Sequence, residues 1–136
     1  MLIICDRGVS HELVRHRLAS YTQESTRYCN YSKLGTTFIK PMFQTIEAEN
    51  LWEKQMLACE KRYNRMIELG ESPQIARSIL PNSLKTEIIA TMNIRQWRHV
   101  LKLRTSKEAH PQIREVMFII KDEFMEEIPL LFEDME

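Results

Sequence analysis

At 136 residues, 43% hydrophobic and 28% charged, the chain has the size and composition of one globular domain, and only three glycines and five prolines argue against a disordered or turn-rich all-β chain. Nineteen basic residues balance nineteen acidic ones, which excludes a uniformly basic nucleic-acid binder, and no apolar run reaches the roughly 20 residues of a membrane span. Residues 1–5 are too short for a signal peptide and lack a basic leader, so a cytoplasmic location is expected.

In chain order, residues 2–5 predict a buried strand. Asp6, Arg7 and Gly8 predict a turn, with Ser10 as the N-cap of a helix starting near His11 that carries Glu12 in its first turn. Leu13, Val14 and Leu18 give that helix an apolar side, and Arg15, His16 and Arg17 fall near its C-terminal end. Consecutive helical residues diverge by about 100°, so these three cannot grip one small group together. Residues 35–39 read as a loop and short strand closed by Pro41.

A long helix is predicted over 45–69, where Trp52, Met56, Cys59, Tyr63 and Met66 recur at steps of four and three and Gly70 stops the pattern. This stripe reads as core or helix-pairing surface, not as a cofactor site. Pro73 opens a short helix over 73–79 that Pro81 ends. Residues 86–92 are rich in β-branched side chains and predict a strand, with a helix over 85–92 as the alternative. Residues 93–103 predict an amphipathic helix with Ile94, Trp97 and Leu101 on one face and Arg95, His99 and Lys102 on the other. Pro111 opens a last helix that buries Ile113, Val116, Met117, Ile120 and Phe124 until Pro129. The sum is an α+β chain, mostly helical, with a small sheet, a long central helix and a single domain over 1–136.

Charge is segregated in spite of the zero sum. Residues 1–40 hold six Lys and Arg against three Asp and Glu, 41–76 four against six, 77–114 eight against two, and 115–136 one against eight. The acidic end reads as a solvated helix face, or as a balance for the basic region within the fold or across a subunit contact. Cys5, Cys29 and Cys59 are widely spaced, form no Cys-x-x-Cys pair and have no His at ligand spacing, so they read as reduced structural thiols with no metal.

The chemistry concentrates in residues 15–28, where Arg15, His16, Arg17 and Arg27 are interleaved with Ser20, Gln23, Ser25 and Thr26. Guanidinium forks fit phosphate bidentately, and short hydroxyl side chains bond the same oxygens. A folding core has no use for such a run, because every buried guanidinium must be paired. The run therefore points to a bound nucleotide.

The fixed letters Arg-His-Arg-x-x-Ser-x-x-x-x-Ser-x-Arg are met at Arg15, His16, Arg17, Ser20, Ser25 and Arg27, and Ala76-Arg77, Leu80-Pro81, Asn93-x-Arg95 and Leu103-Arg104 follow in order. In both constellations the chain resembles the flavin-dependent thymidylate synthases. The resemblance implies that family's fold without its usual N-terminal segment. It also implies reductive methylation of dUMP to dTMP, with methylenetetrahydrofolate as carbon donor and FAD reduced by NADPH, in a homotetramer whose sites lie between subunits. Residue by residue, it implies that Gln23, Ser25, Thr26, Arg27, Arg77 and Arg104 surround dUMP. Arg27 and Arg77 would take the phosphate, and Arg104, as the catalytic residue, a uracil oxygen. Arg15, His16, Arg17, Leu18, Asn93, Arg95 and His99 would contact FAD. No side chain need attack the pyrimidine: no cysteine is marked for it, and Ser25 has no base beside it in the motif.

The chain departs from the family pattern at Glu108, where a His or Gln is expected, and it has no equivalent of a His-Glu-His segment. A family member that binds nucleotide or flavin without turnover is the alternative. A helical nucleic-acid module is disfavoured by the zero net charge and by the lack of aromatics between the arginines.

Overall fold

The computed structural model describes residues 1–135. It is 53% helical with one three-stranded antiparallel sheet, the α+β layout expected. In chain order the elements are β1 (Leu2–Asp6), α1 (Arg7–Leu13), β2 (Ser20–Gln23), α2 (Tyr31–Leu34), α3 (Ile46–Glu68), α4 (Pro73–Ala76), β3 (Lys85–Thr91), α5 (Ile94–Arg104) and α6 (Pro111–Glu127). The strand order is β1-β3-β2. Among the described residues no helix is long and apolar enough to cross a membrane.

The chain packs as two compact units. One comprises residues 1–5, 9–22 and the chain from Ile88 onward; the other comprises residues 6–8 and 23–87. In the first, period-2 alternation puts Ile3 and Cys5 of β1 and Ile88 and Ala90 of β3 on the covered face. Trp97, Val100 and Leu101 of α5 and Ile113, Met117 and Ile120 of α6 join them, with Val9, Leu13 and Phe132, in one core. Phe124 stacks on Phe132 at 4.8 Å and meets the edge of Trp97 at 5.4 Å. Asn93 caps α5, its Oδ1 accepting from Gln96 N at 2.9 Å.

In the second unit α3 begins at its N-cap Thr45, whose hydroxyl accepts from Ala48 N at 3.2 Å. It ends in a Schellman turn: Gly70, at φ +92°, donates to Ile67 O and Glu71 donates to Met66 O. Of the expected stripe, Met56, Cys59 and Tyr63 are buried, while Trp52 and Met66 are half-buried at its ends. Tyr63 forms a core with Tyr31, Ala76 and Leu84.

Four local expectations are corrected. α1 starts at Arg7, directly after the strand, and Ser10 is a fully buried helical residue, not a cap. The reason is tertiary: Arg7 N donates to Asn82 O and Leu84 O, and Gly8 N to Asn82 O, so distant carbonyls satisfy the helix's first donors. The helix then stops at Leu13. Arg15, His16 and Arg17 lie in a turn and the coil after it, so the helical divergence argument does not apply to them. In place of a strand at 35–39 there is a single antiparallel bridge, Phe38 with Leu84, preceded by the unforeseen α2, which Asn30 caps. The helix expected over 73–79 is α only to Ala76 and continues as a 3-10 turn over Arg77–Ile79; Leu80, forced extended by Pro81, ends it.

Candidate functional site

In the first unit, the last residue of α5 meets the end of α1. Arg104 Nε donates to His16 Nε2 at 2.9 Å, its Nη1 to Glu12 Oε2 at 2.8 Å and its Nη2 to the Glu12 carbonyl at 3.4 Å. Three of the five guanidinium N–H groups are thus engaged, and two are left over. His16 is buried, and its ring meets that of His99 edge-on at 6.4 Å. Burial, then the charges of Arg104 and His99, hold its pKa below the usual 6.5. The imidazole is therefore neutral at pH 7, and because Nε2 accepts, the proton is assigned to Nδ1. The Tyr21 hydroxyl lies 2.9 Å from Leu13 O and 3.0 Å from His16 O, which pins the turn carrying His16.

Arg15, Arg17, Arg95 and His99 are exposed, and Leu18 is 77% exposed. A cleft of about 480 Å³ in the same unit is lined by His99 together with Arg98, Lys102, Thr105, Asp134 and Met135. Arg98 grips Asp134 bidentately at 2.7 and 2.6 Å, which holds that carboxyl below its ordinary pKa.

In the second unit, Gln23 leaves the end of β2 and donates from Nε2 to Thr86 Oγ1 at 3.1 Å, an oxygen that Arg7 Nη1 also approaches at 3.5 Å. The chain then turns: Tyr28 N and Cys29 N both donate to Ser25 O, and Arg27 N donates to Ser25 Oγ at 3.3 Å. Thr26 is buried, and its hydroxyl accepts from Arg77 Nη1 at 3.0 Å. Arg27 is exposed, with its guanidinium 5.6 Å from the Tyr28 ring centre. Two guanidinium groups and two hydroxyls on this turn and the segment bonded to it form an arrangement suited to an oxyanion.

The sequence-predicted residues thus fall into two groups. His16 and Arg104 are bonded to each other and His99 adjoins them, while Arg15, Arg17, Leu18, Asn93 and Arg95 belong to the same unit. Gln23, Ser25, Thr26, Arg27 and Arg77 belong to the other unit, where Arg77 and Thr26 are bonded. Arg104, expected with the second group, has its hydrogen bonds in the first. Sequence reading gives Glu12 only a dipole role and Thr86 only a strand propensity. No local signal marks either, since their partners lie 92 and 63 residues away.

The sequence model of the family described as thymidylate synthase complementing protein matches residues 1–130. A relative from Thermococcus kodakarensis is 41% identical over 123 residues, covering 88% of this chain and 50% of the relative. One from Pyrococcus abyssi is 37% identical with the same coverage. A third, from Corynebacterium efficiens, is 30% identical over 148 residues, 96% of this chain and 58% of the relative. Each bears the name flavin-dependent thymidylate synthase. The chain spans about half the length of the curated relatives it matches.

Proposed function

Because the chain belongs to the thymidylate synthase complementing protein family, we propose that it works as a flavin-dependent thymidylate synthase, methylating dUMP reductively to dTMP. The methylene group comes from methylenetetrahydrofolate and the reducing equivalents from NADPH through FAD. The observation that carries this reading is the set Arg104, His16 and Glu12, which holds a guanidinium at a fixed angle with two donors to spare.

On this reading Arg27 and Arg77 bind the dUMP phosphate, Ser25 Oγ and the Thr26 N–H assist them, and Gln23 lines the nucleotide. Arg104 meets a uracil oxygen. Charge accumulates on that oxygen as hydride adds to the ring, and a preoriented cationic donor lowers the barrier by about 3 kcal/mol. Ser25 is a binding residue and not a nucleophile, because its Oγ accepts from Arg27 N and, among the described residues, no His or carboxylate is bonded to it.

The exposed cations Arg15, Arg17 and Arg95, with His99, form a donor set that suits the pyrophosphate and ring carbonyls of FAD. Leu18 offers an apolar contact, neutral His16 its Nδ1–H as a directed donor, and Asn93 the Nδ2 donors that capping leaves over. When bound, FAD would supply the hydride. The working form is a cytoplasmic homotetramer whose subunits complete the sites together.

A second reading, nucleotide or flavin binding without turnover, is favoured by one observation, the coverage of only about half of each relative. The purified chain is incubated with FAD, freed of unbound flavin and assayed for NADPH oxidation on addition of dUMP and methylenetetrahydrofolate. Yellow protein with dUMP-dependent oxidation and dTMP formation supports catalysis. Colourless protein that binds dUMP supports the second reading, and protein that binds neither rejects both.

A further inference from the structure

Glu24 lies between Gln23 and Ser25, and its carboxylate engages the far end of the turn that follows it. The Tyr31 hydroxyl donates to Oε1 at 3.4 Å, and burial, then the neighbouring Glu24 carboxylate, push the Cys29 thiol above its usual pKa. Oε2 is buried without a hydrogen bond; Lys85 Nζ lies 3.9 Å from it and is itself paired with Glu87. The Glu24 backbone N–H is fixed as well, donating to Glu87 O at 2.9 Å.

A carboxylate in this state is costly to the fold. One oxygen has lost its water and gained only a distant cation, and an apolar or amide side chain would avoid that desolvation. What the arrangement gains is geometric. One side chain ties the start of the turn, at residue 24, to the residues that follow its end, at Tyr31. The enclosed residues include Ser25, Thr26 and Arg27, and Thr26 in turn holds Arg77.

We propose that Glu24 is a positioning residue for phosphate: it touches no substrate atom, and by closing the turn it sets Ser25, Thr26 and Arg27 at the spacing a phosphate requires. This rests on the assignment of that turn to the dUMP phosphate. Position and charge make opposite predictions. A carboxylate acting only through its charge repels a phosphate, so its removal would tighten binding, whereas a carboxylate acting through position loosens the phosphate site when neutralised.

The experiment compares binding of dUMP and of deoxyuridine, which lacks the phosphate, to wild type, Glu24→Gln and Tyr31→Phe by calorimetry, with circular dichroism to check folding. Glu24→Gln is expected to weaken dUMP about tenfold, the scale of a lost charge-assisted hydrogen bond, and to leave deoxyuridine within about twofold. Tyr31→Phe removes the partner in that tie and is expected to weaken dUMP about threefold with the same selectivity; it decides alone if Glu24→Gln does not fold. Unchanged dUMP affinity, a gain in it, or an equal loss for both ligands overturns the role of Glu24. Wild type that binds no dUMP rejects the assignment of the turn itself, and the inference falls with it.

Discussion

Arg104 and His16 are 88 residues apart in sequence and 2.9 Å apart in space, joined by a bond in which the guanidinium donates and the imidazole accepts. The acceptor role requires His16 to be neutral. Protonation replaces the lone pair with a second N–H and sets two cations against each other, leaving Glu12 as the remaining partner of Arg104.

A pH dependence of stability follows. The folded pKa of His16 is lowered below 6.5, so between those two values the unfolded chain binds the proton and the folded chain does not. The contribution of His16 is complete above about pH 6.5 and declines as pH falls toward the folded pKa. In an NMR titration the ring protons of His16 are expected to show a midpoint below 6.5, and the urea midpoint should drop on going from pH 7.5 to pH 5.5. A His16 midpoint at or above 6.5 removes the premise.

Under the proposed function, Arg27→Ala and Arg104→Ala each weaken dUMP by about tenfold or more, the scale of one lost charge-assisted bond. They should differ in one respect. Deoxyuridine keeps the uracil and lacks the phosphate, so it should bind Arg27→Ala nearly as well as wild type and Arg104→Ala poorly. Unchanged dUMP affinity in both variants would withdraw these two assignments.

The fully buried Tyr63 has a hydroxyl that accepts from Tyr31 N at 3.3 Å. Tyr63→Phe keeps the ring and strands the N–H, an expected cost of about 1 to 3 kcal/mol in urea unfolding. Leu57→Ala, on the same helix but 66% exposed, should stay within about 0.5 kcal/mol. Equal effects would mean that the hydroxyl carries no part of the unit's stability.

Long periodic segments were legible in the sequence because their signals repeat and their ends carry local chemistry. Thr45 and Gly70 bracket α3, and Asn93 and Pro111 sit at the starts of α5 and α6. Short elements were not. α1 runs on directly from β1 for seven residues and α2 spans four, too few for periodicity to register. The same division runs through the site. Arg77 and Thr26 stand out by type and spacing, but that they are bonded, and that Glu12 holds Arg104, depends on contacts spanning 51 and 92 residues.

The start of α1 has one more consequence, for the order of folding. Its first two N–H groups, those of Arg7 and Gly8, are met by carbonyls at Asn82 and Leu84, more than seventy positions along the chain, so they are satisfied only when that distant segment is in place. A seven-residue helix of that kind is not stable by itself in water. The turn that carries Arg15, His16 and Arg17 hangs from this helix, so it takes its native form only after the loop of some seventy residues has closed, making it a late event set by chain topology.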